Sequence, residues 1–220
     1  MISASKKILL LFLVSLVNVF AQSNLEQQFE FANRLFIQEK YFEAITEFKR
    51  LQFFDIENKF SFQSNLIIGK CYKAGAKFDE AVNYFTRAEM NSENDHEYFF
   101  SKIFNARTNI LRRSTKQSEK ILNELLNDQR FISKEKEIKY WIGWNYIFAD
   151  DWEKAYKIFS ENNLDTALAN LCKSVEEEKF SVDFAKYSSY IIPGFGQFYT
   201  GEYLSGTLSL GWNILFGYLT

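Results

Sequence analysis

Few residues in this 220-residue chain are equipped for chemistry, and their spacing argues against a catalytic centre. The single histidine, His96, falls in the turn-like stretch Asn94-Asp95-His96-Glu97. Asp95 and His96 are potential metal ligands, but consecutive turn residues do not converge as a metal site requires. One histidine also rules out a paired-histidine zinc site, and neither cysteine, Cys71 or Cys172, has a CxxC partner. In an oxidising compartment the two thiols are able to pair. They lie about a hundred positions apart, however, so two buried free thiols are the simpler expectation. Glu176-Glu177-Glu178 reads as a solvated helix face. Ser114-Thr115 matches no nucleophile motif, and Gly194-x-Gly196 lacks the Gly-Lys-Ser/Thr ending and preceding strand of a phosphate loop. The expectation is a protein that is not an enzyme and has no metal, no cofactor and no small-molecule substrate.

Composition instead favours helices that bind. Hydrophobic residues make up 47% and aromatics 18%, ample for a core. The only proline is Pro193, so nothing upstream of it removes a helical N–H. A formal charge of −2, with lysines scattered along the chain, offers no basic field for nucleic acid.

Residues 1–21 read as a secretory signal. Lys6 and Lys7 precede the apolar run Ile8 to Phe20, broken only by Ser15 and Asn18, and Val19-Phe20-Ala21 suits cleavage before Gln22. An uncleaved anchor is the alternative, but the run falls short of the roughly 20 residues of a spanning helix. No cysteine follows the cleavage point to carry a lipid.

The strongest signal is an internal repeat. Tyr41-Phe42-Glu43-Ala44 with Phe48 returns as Phe78-Asp79-Glu80-Ala81 with Phe85, and again as Trp152-Glu153-Lys154-Ala155 with Phe159. Upstream stand the small residues Ala32, Gly69, Ala106 and Gly143, at a constant period of 37. In the third copy Ser118 takes the place of the alanine and Leu122 that of the phenylalanine. Each unit is expected to be two antiparallel helices whose small residues permit close approach. Phe31, Leu35, Ile68, Tyr72, Ile142 and Tyr146 then fill the flanks. A single pair cannot cover its own apolar face, so pairs must stack.

The spacing Ile68-Gly69-x-x-Tyr72, then Ala81-x-x-x-Phe85-x-x-Ala88, resembles the tetratricopeptide repeat (TPR) over about Leu25 to Asn163. The period of 37 exceeds the usual 34, and Asn58, Asn94 and Asn163 stand in turns where that family often has proline. The resemblance implies an all-α, right-handed superhelical solenoid of four TPR-like helix pairs, about 25–57, 62–94, 99–130 and 136–163. It also implies a protein or peptide partner on the concave face, formed by outward residues of the first helices. Mapped here, that face holds Phe29, Asn33 and Phe36, then Leu66, Lys70 and Lys73, then Ile103, Arg107 and Ile110, then Tyr140, Trp144 and Phe148. Such a face suits a ligand with an apolar anchor and an acidic section. The paired Asn and Lys clamp that some members use for a terminal carboxylate is not recognisable. Residues 164–186 read as a helical cap, with Leu164, Leu168, Leu171 and Val175 at helical spacing, and are equally able to cover the fourth-copy aromatics.

Beyond Lys186 the only charged residue is Glu202. Pro193, Gly194, Gly196, Gln197, Tyr199 and Gly201 together resemble the Pro-Gly-x-Gly-Gln-x-Tyr-x-Gly signature of small bacterial membrane domains built as helical hairpins. Pro193 and the glycines would break a helix and let backbones approach, with Gln197 bonding the freed backbone groups. Tyr203 to Leu219 is an uncharged run carrying Trp212 and Tyr218, expected to enter a membrane. It ends without basic flanking residues, which suggests further membrane helices in a parent protein. An apolar helix capping the solenoid is the alternative for 187–220. These features lead to an exported scaffold in the cell inner membrane with its repeats facing the periplasm, or, as the alternative, a structural subunit of an envelope assembly or secretion complex.

Overall fold

A computed structural model describes residues 25–219 except 162, 179 and 180; the expected signal segment 1–21 lies outside these. Every regular element described is helical. The chain divides into two compact units, the second beginning at Ala167.

The first unit is a run of helix pairs. Helix α1 (25–37) is followed by α2 (Tyr41–Phe54), α3 (Ser61–Ala74) by α4 (Phe78–Met90), α5 (Asp95–Leu111) by α6 (Thr115–Asn127), and α7 (Glu135–Phe148) by α8 (Trp152–Glu161). A 3₁₀ turn, Gln129–Lys134, separates the third pair from the fourth. Helices α4, α6 and α8 pack on their own first helices, α2, α4 and α6 pack on the first helix of the next pair, and α5 also touches α3 and α7. This is the stacking that a helix pair with an uncovered apolar face requires.

Size complementarity sets the approach within each pair. A Cβ built on Gly69 would lie 2.6 Å from the Phe85 ring, and one on Gly143 would lie 2.5 Å from the Phe159 ring. Phe48, Phe85, Leu122 and Phe159 are fully buried, each sixteen residues after its small partner Ala32, Gly69, Ala106 or Gly143. The second-helix positions Ala44, Ala81, Ser118 and Ala155 are fully buried too.

The turns inside the pairs repeat with equal strictness. Glu39, Ala76, Arg113 and Asp150, spaced by 37, all have φ between 56° and 61°. Around them the Lys40, Lys77, Ser114 and Asp151 N–H groups donate to the carbonyls of Leu35, Tyr72, Asn109 and Tyr146. These bonds satisfy carbonyls that the helix end leaves open, as in a Schellman cap. The same conformation is held by four different non-glycine residues, so packing rather than local preference imposes it. Asn58, between the first two pairs, and Asn163, after α8, are left-handed, while Asn94 instead caps α5 by accepting from Glu97 N–H at 3.0 Å. His96 therefore sits in the first turn of α5 and not in a loop.

The second unit holds α9 (Thr166–Glu178), α10 (Val182–Ile191), α11 (Phe195–Tyr199) and α12 (Tyr203–Leu219). The segment expected as a cap supplies α9 and the first turn of α10, and from Ala167 onward it belongs to this unit. Ser181 caps α10 by accepting from Phe184 N–H at 3.1 Å. After half-buried Pro193 the chain turns at Gly194, φ +89°, where a Cβ would lie 2.4 Å from the Gly206 carbonyl oxygen. Gly196 is packed against Ala185 and Ser189, and Gly201, φ +82°, opens the turn into α12 with free space around it.

Two expectations for this unit are corrected. The freed backbone N–H of Gly196 donates to Ser189 Oγ at 2.9 Å, and Ser181 N–H donates to the Tyr199 hydroxyl at 3.2 Å. Gln197, expected in that role, has no partner for its Oε1 among the described residues; Ser189 is the nearer acceptor because Gly196 lets the backbone close on it. Nor does a transmembrane helix appear among the described residues, none of whose helices is long and apolar enough to cross a membrane. The 17 residues of α12 reach about 25 Å, against a hydrocarbon core of about 30 Å.

Candidate partner-binding face

The first helices of successive pairs lie side by side, so residues spaced by 37 recur along one face. Two cavities open there, and first helices alone line both. The larger, about 290 Å³, is bounded by Lys73 of α3, Arg107, Ile110 and Leu111 of α5, and Tyr140, Trp141, Trp144 and Phe148 of α7. The smaller, about 260 Å³, is bounded by Phe62, Leu66 and Lys70 of α3 and His96, Glu97, Phe100 and Phe104 of α5.

Cations stacked on rings form the walls between them. Lys70 Nζ, Lys73 Nζ and Arg107 Cζ stand 4.7, 5.9 and 5.5 Å from the centre of the Phe104 ring. Arg107 also lies 4.1 Å over Trp141. Phe104 itself stacks on Phe85 at 5.5 Å, which ties this wall to the core of the second pair. On α7, Tyr140 meets Trp141 edge-on at 5.5 Å and Trp144 at 6.5 Å, and Trp144 meets Phe148 at 6.4 Å. Tyr140 also abuts the buried Phe159 at 5.8 Å, so the aromatic ladder is braced from behind.

The electrostatics of this face are unbalanced. Among the described residues, Lys70, Lys73 and Arg107 make no salt bridge, whereas Lys102 is held by both Glu89 and Glu124 at 3.1 and 3.0 Å. Burial lowers the Lys70 ammonium from its ordinary range. Burial lowers Lys73 as well, helped by the like charges of Arg107 and Lys70. Arg107 is lowered by burial and partly restored by Glu137, a carboxylate 3.9 Å from Lys134. Cation–ring attraction compensates the lost hydration in part, but among the described residues no carboxylate stands within salt-bridge distance of the three.

Five residues expected on the binding face, Lys73, Arg107, Tyr140, Trp144 and Phe148, come together around the larger cavity, and Lys70 with Leu66 lines the smaller. Phe29, Asn33 and Phe36 line neither. Phe29 stacks on Phe60 at 5.1 Å and meets Phe48 edge-on at 5.7 Å, and Phe36 packs near Tyr41 at 6.1 Å. Phe29 and Phe36 flank the first-pair core, and Asn33 is half-buried between them. Ile103 is also corrected: at 2% exposure it belongs to the core, and Ile110, as deeply buried, is only the floor of the larger cavity. Phe104 and Trp141, which sequence reasoning missed, are the rings that carry the cations. A signal for them was available: Phe104 lies one helical turn before Arg107, and Trp141 is its copy one period of 37 later.

Cys71 and Cys172 are both buried and free, and burial pushes the Cys71 thiol up to about 12, away from reactivity. Among the described residues no group of three or more His, Cys, Asp or Glu side chains is placed to hold a metal ion.

The arrangement defines an all-helical repeat protein with an aromatic, cationic face. No family model matches the chain, and no curated protein matches it. It is similar to two solved structures of a Podosopora anserina putative kinesin light chain with nearly identical TPR-like repeats. One of them, a point-substituted form, has 12% identity and a TM-score of 0.49, covering 86% of this chain and 92% of that one. The other has 12% identity and a TM-score of 0.48, with the same coverage.

Proposed function

We propose that this chain is a non-enzymatic scaffold that holds a peptide or helix of a protein partner against the first-helix face of its repeats. The carrying observation is a set of three cations, Lys70, Lys73 and Arg107, without a salt-bridge partner among the described residues and packed among aromatic rings beside two open cavities. Desolvated charges without partners cost stability, so folding alone gives no reason to keep them there. Trp, Tyr and Arg are also the residues that dominate interface energies when a partner shields them from water.

The setting we propose is the bacterial cell envelope, with the repeats outside the cytoplasm at the inner membrane. The reading of export rests on Lys6, Lys7 and the apolar run Ile8 to Phe20. Membrane association rests on the second unit, where Tyr190, Ile191, Leu204, Trp212 and Phe216 are more than half exposed and Glu202 is the only charge after Lys186. The mode we favour is insertion into the interface, where Trp and Tyr are favoured.

A photoreactive amino acid placed at Trp144, against one placed at exposed Lys120, tests the scaffold. Adducts with a discrete partner from Trp144 and none from Lys120 are expected; equal adducts from both positions would remove the face from consideration. Carbonate extraction of membranes, with and without residues 187–220, tests the setting: the full chain should stay in the pellet and the shortened chain should be released.

A further inference from the structure

The two cavities are not two unrelated depressions. The Phe104 ring lines the smaller cavity, and the cations gathered round it line both. Lys70 faces the smaller cavity, and Lys73 and Arg107 face the larger. All three stand within 4.7 to 5.9 Å of the same ring centre, and Arg107 and Lys70 both repel the Lys73 charge, so an acidic side chain brought there meets the field of more than one of them. On either side the lining changes to apolar: Phe62, Leu66 and Phe100 in the smaller cavity, Ile110, Trp144 and Phe148 in the larger. Along the face the order is therefore apolar, cationic, apolar.

We infer that the partner segment is itself tripartite: two apolar or aromatic side chains, one for each cavity, with one or two carboxylates between them. This rests on the scaffold reading above and adds the order of side-chain types that the face selects.

Each part of that order has a physical reason. An apolar segment without the carboxylates would fill both cavities but bury the three cations still further, raising a cost that nothing offsets. An acidic segment without anchors would be left with half-exposed charge pairs, which are weak and screened by salt. Carboxylates placed outside the anchors would miss the wall that carries the cations. Glu97 at the rim of the smaller cavity disfavours acid at that end. A nucleic-acid strand is a poor occupant, because three cations in a chain of net charge −2 give little to a phosphate backbone.

Fluorescence anisotropy of the full chain against synthetic peptides tests the inference. Each peptide has about 14 residues, a Trp and a Leu anchor at several spacings, and a Glu pair between them; two matched sets carry Gln at the centre or the Glu pair outside the anchors. The best centre-acid peptide should bind roughly tenfold or more tightly than its matched controls, and the advantage should shrink with added salt. Lys73→Met with Arg107→Met should erase most of the advantage over the Gln peptide, because the Glu pair then loses two of its cations while the Gln peptide no longer buries them unpaired. Leu66→Ala and Trp144→Ala should each weaken binding, with circular dichroism melts showing that both variants fold.

Equal affinity for the Gln-centred or acid-relocated peptides overturns the tripartite order. Tighter binding of an oligothymidine strand than of any peptide overturns it as well. If no peptide binds while Trp144 still yields a discrete photo-adduct, the inference fails and the scaffold reading stands. If neither occurs, both fail.

Discussion

Both units use glycine to bring helices close, but the glycines meet different neighbours. In the repeats, Gly69 and Gly143 face the rings of Phe85 and Phe159, side chains able to shift or be replaced. In the second unit, Gly194 faces the Gly206 carbonyl and Gly196 faces the Ala185 carbonyl, and a backbone cannot be exchanged. Gly194 also has φ +89°, a conformation that side chains resist. A repeat can therefore drift in sequence by paired size changes, as the third copy has done with Ala106 and Leu122. The turn at Pro193-Gly194 has no such freedom.

The largest effect is expected where this difference is starkest. Gly194→Val should cost more than about 3 kcal/mol locally, through backbone overlap and left-handed strain together. Hydrogen exchange should show α10–α12 losing protection while α3–α8 keep theirs. Loss of protection in both units would break the contrast.

Next, Gly69→Ala should destabilise the repeats by about 1–3 kcal/mol, because the ring lies 2.6 Å from the new Cβ. Adding Phe85→Leu recreates the Ala106–Leu122 pairing and should recover most of the loss. A double-mutant cycle in urea reads the coupling, expected at about 1 kcal/mol or more in the favourable direction. No recovery would mean that the third pair is accommodated by something other than size.

The third copy has a second departure with the opposite sign. Ser118 occupies the alanine position, fully buried, and its Oγ has no hydrogen-bond partner among the described residues. Ser118→Ala should therefore stabilise the protein by roughly 1 kcal/mol, read as a higher denaturant midpoint at unchanged slope. The same change brings the weakest copy into line with Ala44, Ala81 and Ala155.

These pairs are legible in the sequence because size complementarity repeats at a fixed spacing, and a period is visible even when the residues vary. The proposed binding face is less legible, and α5 shows why. That helix has neighbours in α3, α4, α6 and α7, and it buries residues as varied as Phe99, Ser101, Ile103, Asn105 and Thr108. With apolar and polar positions buried almost all round, periodicity does not mark which stripe is open. It points to Ile103 on the face where Phe104, one residue on, in fact lies. In the first pair the misplacement has another cause: Phe29 and Phe36 occupy outward positions of a first helix but are drawn in by Phe60, just before α3, and Tyr41, at the start of α2. The reach of a residue at a helix start across a neighbouring helix is a tertiary fact with no periodic trace. In the second unit the glycines announce close packing, while the acceptor that answers Gly196, Ser189 on the preceding helix, carries no motif of its own.

The smallest effect concerns the cost of the proposed binding face. Lys73 has an ordinary value of 10.5 and is lowered by burial, with Arg107 and Lys70 adding like-charge repulsion. A lysine whose pKa falls on folding makes the folded state less able to hold a proton than the unfolded one. The resulting penalty is fully present below the lowered folded value and is relieved as pH rises through it towards 10.5, because there the unfolded chain binds more protons. Lys73→Met keeps the stem and removes the charge. At neutral pH it should stabilise the protein by about 0.5 kcal/mol, or roughly 1–2 °C in melting temperature. That gain should fade when melts are repeated towards about pH 10, and Lys120→Met, on an exposed second-helix surface, should show no such dependence. A gain that persists unchanged at high pH would mean that Lys73 costs the fold nothing as a charge, and the contrast between a face shaped for a partner and helices shaped for packing would lose its electrostatic half.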